Sequence, residues 1–499
     1  MPVSFNNIPS NVRVPLFYAE VDNSMANSGS STLRRLIVGL VNDAVTSPEV
    51  GSLVLVSSAA QAAQIGGAGS MLAAMYAAFR QNDPFGECWC LPLAAGTGVK
   101  ASGTVTITGP ATEAGLINLY VAGVRVRAAV ALAATATDVA TALAAAVNAN
   151  PDLPVTATAA LGVVTLTAKF AGDLGNDIML ELNRLGRVNG EVTPGGLTLT
   201  ISAMANGAGT PDLDAALAAL GDEEFEFICQ PWTDTASLDA WKEVMNDASG
   251  RWSWTKQIYG HVYSARRGAL GALVAAGDAR NDQHMTINGF EATEPAPCWV
   301  KAAAFVGRQS VFISADPSRP TQTGELIGID PAAPSARFTL TERQSLLNYG
   351  IATTVYSGGA VRIERAITTY QANAYDQPDD SYLDSETMHQ TAHIIRFLRS
   401  RITSKYGRHK LAGDGTRYGA GQAIVTPSVI RGELIAAYAE LEYQGHVENA
   451  ELFAENLIVE RDAMNPNRVN VLLPPDYINQ LRVFAMLNQF RLQYPTIPA

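Results

Sequence analysis

The segment that decides the fold contains FEFIC (225–229), TASLDAWKEVMNDAS (235–249), QIYGHVY (257–263) and ARRGALGALVAA (265–276). The first and third of these have the short apolar pattern of a strand, and the second and fourth have the apolar spacing of a helix. The same alternation predicts strands over 33–40, 53–57 and 87–93 and helices over 70–79 and 212–220. Strands that alternate with helices form a largely parallel sheet covered by helices. The sequence therefore predicts a layered α/β core within a chain that is α+β overall.

One segment interrupts this alternation. Between Gly96 and Asn206 the chain is rich in Thr, Val, Ala and Gly, and its pattern predicts strands and one helix. The predicted strands cover 103–107, 117–121, 155–158 and 163–168, and the helix covers 136–149. Both junctions, AGTG (95–98) and NGAG (206–209), are glycine-rich, as points that tolerate insertions tend to be. We predict a β-rich inserted domain over 98–206, peripheral to a discontinuous α/β core over 32–97 and 207–358.

The C-terminal part changes character again and is predicted to be an α+β domain over 359–465. It contains helical patterns over 385–404 and 427–443 and short strand patterns over 456–460 and 469–473. The first helix is basic, and the segment 433–462 is acidic. The basic stretch is either a solvated helix face or a contact with an acidic partner, and its cations are Arg396, Arg399, Arg401, Lys405, Arg408, Lys410 and Arg417.

Both ends of the chain are apolar where free tails are normally polar. Residues 1–31 contain three prolines, a strand-like alternation and then a polar run over 23–31 that is typical of a hinge. Residues 466–499 end in a second apolar segment. Either these arms fold back on their own domain, or they donate strands to neighbouring subunits. The residues predicted to make the inter-subunit contacts are Val12, Val14, Leu16, Tyr18, Leu481, Val483, Phe484, Leu487 and Phe490.

Composition and motifs argue against most other classes of protein. The net charge of −12 disfavours a nucleic-acid binder, and four cysteines in 499 residues make no disulfide framework. No segment has the composition of a membrane span. HQTAH (389–393) lacks the Glu of a zinc protease, which predicts two surface histidines, and GGAGS (66–70) lacks the Lys of a phosphate loop, which predicts a turn with Ser70 as helix cap. We therefore predict no catalytic, cofactor-binding or metal site.

Two alternatives from other classes remain open. An α/β hydrolase that uses Ser70 or His261 is one of them, although the chain has no GxSxG motif. A binding protein that forms a small discrete oligomer is the other.

Seven fragments along the chain together resemble a known family. In order they are RVPLFYAEVDNS (13–24), RLIVG (35–39), GSML (69–72), NDPFGE (82–87), HMTI (284–287), INQLRVFA (478–485) and FRL (490–492). Their order and spacing resemble those of the tail sheath proteins of Mu-type contractile-tailed bacteriophages. The resemblance covers most of the chain and is least specific in 98–206.

The resemblance implies a subunit that polymerises as stacked hexameric rings around an inner tail tube and contracts to drive the tube through the host envelope. It implies that the strands over 12–21 and 481–492 are donated, with hinges at 23–31 and 465–467. The implied partners are the chain itself, the tube protein, and baseplate and tail terminator proteins, without direct nucleic-acid binding or membrane insertion. The subunit would be assembled in the host cytoplasm and belong to the virion tail, or to a tail-like bacteriocin or other contractile injection system. The candidate tube contacts are Arg396, Arg399, Arg401 and Lys405.

Overall fold

The computed structural model describes residues 33–493. The first part of the chain forms one portion of a layered core, and its elements are β1 (Arg35–Leu40), β2 (Val54–Leu55), α1 (Ala59–Gly66), α2 (Met71–Asn82) and β3 (Cys88–Leu93). The predicted cap is present, because the Ser70 hydroxyl accepts a hydrogen bond from the Ala73 N–H at 3.1 Å and so starts α2. Cys88 and Cys90 are buried free thiols on β3.

The next part of the chain forms two small sheets and one helix. Its elements are β4 (Lys100–Thr108), β5 (Gly115–Val121), β6 (Val124–Val130), α3 (Ala136–Asn148), β7 (Val155–Ala160), β8 (Val163–Ala171), β9 (Leu180–Leu182) and β10 (Thr198–Ala205). Strands β10, β4, β8 and β7 form one antiparallel sheet in that order, and β6, β5 and β9 form the other. None of these seven strands joins the core sheet.

The chain then returns to the core. The elements here are α4 (Asp214–Ala218), β11 (Phe227–Cys229), α5 (Thr235–Met245), β12 (His261–Gly268), α6 (Leu270–Asp278), β13 (Met285–Glu291), α7 (Cys298–Ala315), α8 (Leu340–Asn348), β14 (Ala352–Ser357) and β15 (Ala360–Arg365). The eight-stranded core sheet has the order β15-β14-β13-β12-β11-β1-β3-β2. Neighbours from β14 to β3 are parallel, and the two edge strands are antiparallel. The predicted α/β core is confirmed.

The inserted part is not detached from the core. Phe170 of β8 packs edge-to-face on Trp299 of α7, with ring centroids 5.6 Å apart, and Trp299 is buried. Asp177 pairs with Arg267 at 2.9 Å and accepts the N–H of Cys298 at the start of α7. These contacts cover the first turn of α7, so the insert shares a buried boundary with the core rather than lying wholly at the periphery.

The C-terminal part contains two long helices, a short one and two small ribbons. The elements are α9 (Ser385–Tyr406), β16 (Lys410–Leu411), β17 (Ile424–Val425), α10 (Pro427–Tyr443), α11 (Ala450–Asn456), β18 (Ile458–Arg461) and β19 (Val469–Leu472). Thr426 caps α10 and Pro427 occupies its first turn, so the helix has the bounds predicted from the pattern over 427–443. These helices enclose a second apolar core that includes Ile394, Leu434 and Tyr438.

Two predicted boundaries in the core are wrong. The strand predicted over 257–263 begins at His261, because Gln257 has a positive φ of 54° and ends a series of turns. It continues to Gly268, so the helix predicted from Ala265 begins at Leu270. Arg266 and Arg267 donate to the carbonyls of Thr233 and Ala296, which holds this segment extended. No helix within residues 33–493 combines the length and apolar character that crossing a membrane requires.

Candidate functional site

The C-terminal arm is the most unusual surface of the described chain. After the isolated bridge between Val447 and Tyr477, residues 478–493 form no helix and no paired strand. From Leu481 onward the large apolar side chains are between 70% and 97% exposed, and these are Leu481, Val483, Phe484, Met486, Leu487, Phe490 and Leu492. All five C-terminal residues predicted for the arm therefore lie in an exposed, extended segment. The N-terminal candidates, Val12, Val14, Leu16 and Tyr18, lie outside the described residues.

The root of this arm, residues 477–482, is held firmly on the body. The Ile478 N–H donates to the carbonyl of His446, and Gln480 donates to the carbonyl of Ser318 at 3.2 Å. Gln322 in turn donates to the carbonyl of Leu481 at 3.2 Å. The side chains therefore alternate, with Gln480 directed to the body and Leu481 to solvent. The exposed apolar segment begins where these bonds end.

Arg482 also holds the root on the body, through two ion pairs. Its guanidinium lies 3.2 Å from carboxylate oxygens of both Asp384 and Glu386, and its side chain is only 11% exposed. Glu386 is fully buried in the first turn of α9, where it also accepts hydrogen bonds from Thr321. Carboxylates at a helix N-terminus are stabilised by the helix dipole, and a cation beside them balances their charge. Arg482 thus fixes the point from which the arm extends.

Replacing Arg482 with Ala is expected to loosen the root without unfolding the chain. The substitution leaves Glu386 buried without its cation, and a local loss of about 1.4 kcal/mol corresponds to a tenfold change in an opening equilibrium. Hydrogen exchange across residues 476–482 should therefore accelerate at least about tenfold. The control is Arg468→Ala, an exposed arginine of the same domain. Equal exchange in the two variants would contradict this role.

A β-hairpin with open edges lies in the same domain. Strands β18 and β19 pair with each other and with no other strand of the described chain. The residues predicted as a hinge, 465–467, instead lie in the turn of this hairpin, where the Asp462 carboxylate accepts the N–H groups of Met464 and Asn465. A hinge at 465–467 stays a prediction, and the structure places these residues in a hairpin turn, with the unpaired segment beginning only after Tyr477. The arm is therefore shorter than the predicted 466–499.

The four candidate tube contacts lie on α9, and three of them are already paired. Arg396 binds Glu224 and Glu226. Arg401 lies 2.7 Å from Glu433 and 3.0 Å from Glu440, and Lys405 also pairs with Glu433. Arg399 is exposed and donates to the amide oxygen of Gln257 at 3.4 Å. A tube contact on α9 stays a prediction, and Arg399 is the member whose charge faces solvent.

The two histidines of HQTAH are not both on the surface. His389 is buried, and its Nε2 lies 2.8 Å from the Tyr263 hydroxyl. Its Nδ1 bonds to Glu226, which also binds Arg396. Burial alone would raise the pKa of Glu226, but the adjacent Arg396 and His389 lower it to about 2. We call Glu226, Tyr263, His389 and Arg396 the interdomain clasp, because they join α9 to the core sheet.

The sequence contains a signal of the clasp that the predictions above did not use. Glu226 is a charged residue inside the strand pattern FEFIC, and a buried carboxylate requires a cation. His389 and Arg396 are seven residues apart, which places them on one face of a helix. His393, the second histidine of the motif, lies beside His446 with ring centroids 4.5 Å apart. Burial and the neighbouring His446 lower the pKa of His393 to about 4.

The residues considered for a hydrolase lie at different ends of the core sheet. The Ser70 hydroxyl caps α2 close to the C-terminal end of β1, where the Asn42 side chain donates to the carbonyl of Ala68 at 3.0 Å. His261 pairs in register with Phe227 and through it with Arg35 at the opposite end of β1, and its Nε2 bonds to Thr286 at 2.8 Å. Within residues 33–493, no cluster of three or more His, Cys, Asp or Glu side chains could hold a metal ion.

Known protein families and one known protein have sequences similar to this chain. The family model described as the phage tail sheath protein central domain matches residues 206–369, and the phage tail sheath C-terminal domain model matches residues 377–491. The chain is 43% identical over 496 residues to the Mu-like prophage FluMu tail sheath protein of Haemophilus influenzae, which covers 99% of this chain and 100% of that protein.

Solved structures with similar folds have lower sequence identity. The sheath tail protein of Desulfitobacterium hafniense is 13% identical with a TM-score of 0.48, over 93% of this chain and 100% of that chain. The sheath tail protein of Listeria innocua is 11% identical with a TM-score of 0.46, over 91% of this chain and 94% of that chain.

Proposed function

Because this chain belongs to the tail sheath family of Mu-type contractile bacteriophages, we propose that it polymerises as stacked hexameric rings around an inner tail tube. The polymer contracts and drives the tube through the host cell envelope. The subunit is assembled in the host cytoplasm and becomes part of the virion tail. The exposed apolar arm is the observation that carries this proposal. The arm extends from a root that is bonded to the body, and its large apolar side chains do not pack against its own domain.

We propose that the arm joins subunits by adding a strand to the hairpin of a neighbour. Two strands alone are marginally stable in water, and β18 and β19 have open edges. Ten residues, 483–492, reach about 33 Å when fully extended, so the arm can contact a neighbour beyond the surface of its own domain. Each backbone hydrogen bond of the added strand contributes about 0.5–1.5 kcal/mol net. Because the donor and acceptor surfaces differ, the contact is head-to-tail and generates rings or helices.

We extend the proposal to the other partners of the sheath and to a role that does not involve catalysis. The sheath encloses the tube protein and ends at baseplate and tail terminator proteins, and Arg399 is the α9 cation available to an acidic tube surface. We propose a mechanical rather than an enzymatic role, since the Ser70 hydroxyl is committed to a helix cap and His261 is buried. Because the arms stay bound to neighbouring subunits while the bodies of the subunits move against one another, the polymer can contract by rigid-body motion.

Electron microscopy of the overexpressed chain tests the proposal. We expect negatively stained samples to contain long hollow cylinders, because the arm and the hairpin are both present on every subunit. Cylinders should lengthen with protein concentration, as expected of a head-to-tail polymer. A single small oligomer at all concentrations in size-exclusion chromatography would contradict the proposal.

A further inference from the structure

Two histidines lie side by side next to the root of the arm. His393 on α9 and His446, which follows α10, have ring centroids 4.5 Å apart. His446 is 8% exposed, and the Nε2 atom of His393 is buried without a hydrogen-bond partner in the described chain. Two imidazolium rings at this distance repel each other, and burial disfavours the charge of each. The pair is therefore stable in its neutral form.

His446 is also a point at which the root is attached to the body. Its backbone carbonyl accepts hydrogen bonds from the Ile478 N–H at 3.3 Å and from the Gln390 side chain at 2.8 Å. Its Nδ1 lies 2.8 Å from the hydroxyl of Ser318, and the carbonyl of Ser318 accepts the bond from Gln480. A displacement of His446 therefore disturbs two of the contacts that hold the root.

The charged neighbours of the pair act in both directions. Burial, the adjacent His446 and Arg396 lower the pKa of His393 to about 4. The carboxylates of Glu226 and Asp316 oppose this shift without cancelling it. Burial also lowers the pKa of His446, although Oδ1 of Asp316 lies 3.9 Å from its Nδ1 and favours the charged form. Both rings thus resist protonation while the root is closed.

The titratable groups of the root itself keep their charge in mild acid. Tyr477 is a neutral phenol, and burial raises its pKa. Arg482 is a permanent cation, and the carboxylates of Asp384 and Glu386 hold it at the last residue of the root. The two imidazoles are the groups of this site whose unperturbed pKa lies between pH 5 and 8.

We propose that acid opens the root of the arm by charging His393 and His446. Opening exposes the imidazoles to water, where they take up protons, so a lower pH favours the open state. Because the pKa of each ring is lower in the closed root than in the unfolded chain, the closed root is fully stable above about pH 6.5 and weakens as the pH falls toward 4. For a group whose pKa rises from about 4 to about 6.5 on opening, the opening equilibrium increases about twentyfold between pH 7 and 5.

The consequence for the polymer rests on the proposed function. There the arm stays with the neighbouring subunit, and its root fixes the distance between that neighbour and its own body. Opening frees residues 477–482, which reach about 20 Å when fully extended. We therefore expect acid to lengthen the connection between subunits, so that the sheath loses its regular spacing while its subunits remain linked.

Hydrogen exchange of the full-length chain at pH 7 and pH 5 tests the switch. After correction for the intrinsic pH dependence of exchange, the protection of residues 476–482 should fall about twentyfold in the wild type. His393→Phe keeps a ring but removes its titration, and the fall should be less than about fivefold. His446→Gln keeps a hydrogen-bonding side chain beside Ser318 and should weaken the response in the same way.

The matched control is His409→Phe, because His409 is an exposed histidine of the same domain, and this variant should respond like the wild type. Circular dichroism at pH 7 confirms that each variant is folded, and His446→Gln decides the question if His393→Phe is not. Equal protection of the wild-type root at pH 7 and 5 would overturn the proposal. An undiminished response in the folded histidine variants, or an equal fall in β1 that indicates global unfolding, would do the same.

The exchange experiment does not depend on assembly. If the wild-type root opens in acid but the chain forms no sheath, the switch stands and the proposed function fails. If sheaths form and the root ignores pH, the proposed function stands and the switch is wrong.

Discussion

A chain truncated after Arg482 is expected to fold normally and to form no sheath. The large apolar side chains that the truncation removes between Val483 and Leu492 are 76–97% exposed, so the body loses little buried surface. Surface changes of this kind alter stability by about 0.5 kcal/mol or less. The anchored root, including the Arg482 ion pairs, remains in place. The polymer, by contrast, loses every hydrogen bond of the donated strand, and sedimentation and electron microscopy should show soluble subunits.

Full-length variants test whether assembly requires the apolar side chains of the arm or only an arm of the same length. Phe484→Asp together with Leu487→Asp should abolish assembly, because two charges replace the side chains expected to be buried against a neighbour. The matched control is Asn488→Asp together with Gln489→Glu, which adds the same charge at polar positions of the same segment and should permit assembly. Sheaths of normal length from the truncated chain would show that the C-terminal arm is not the connector. Deletion of residues 1–22, which lie outside the described structure, is the corresponding test of the N-terminal arm.

The core and the arm were predictable because their signals are local. The apolar run RLIVGL and the cap at Ser70 depend on neighbouring residues, so β1 and α2 are found where the sequence places them. The apolar residues between Leu481 and Phe490 are equally visible in the sequence. The error at β12 has a local cause as well, since Ala265, Ala269 and Ala272 match a helical period although the chain remains extended to Gly268.

The charged contacts were not predictable from spacing alone. Arg396 and Glu226 are 170 residues apart in the chain, and only the fold brings them together. The basic face of α9 resembled a free binding surface because its partners, Glu224 and Glu433, lie in other elements. His389 was assigned to the surface because six scattered histidines gave no reason to bury one. Tertiary contacts determine which charges remain available, and on α9 they leave Arg399 without a carboxylate partner in the described chain.

Breaking the interdomain clasp is expected to destabilise the protein more than any other single substitution proposed here. Glu226→Gln removes a buried carboxylate that pairs with both His389 and Arg396, and it leaves Arg396 with Glu224 alone. Removal of one partner from a buried ion pair costs about 3–5 kcal/mol, and we expect the lower end of this range because Glu224 remains. Chemical denaturation should show this loss at pH 7. The control is Glu243→Gln, an exposed carboxylate on α5 whose removal should change the free energy of unfolding by less than about 0.5 kcal/mol.

The pH dependence of the same variant identifies the cause of its instability. The pKa of Glu226 is lowered from 4.5 to about 2 in the folded chain, which corresponds to roughly 3 kcal/mol of stabilisation of the carboxylate. A lowered pKa stabilises the fold fully above the unfolded value of about 4.5, and this contribution is lost as the pH falls toward 2. The difference in free energy of unfolding between wild type and Glu226→Gln should therefore be constant from pH 6 to 7 and shrink progressively below about pH 4.5. A difference that stays constant down to pH 2.5 would mean that lost packing, rather than the charge of Glu226, joins α9 to the core sheet.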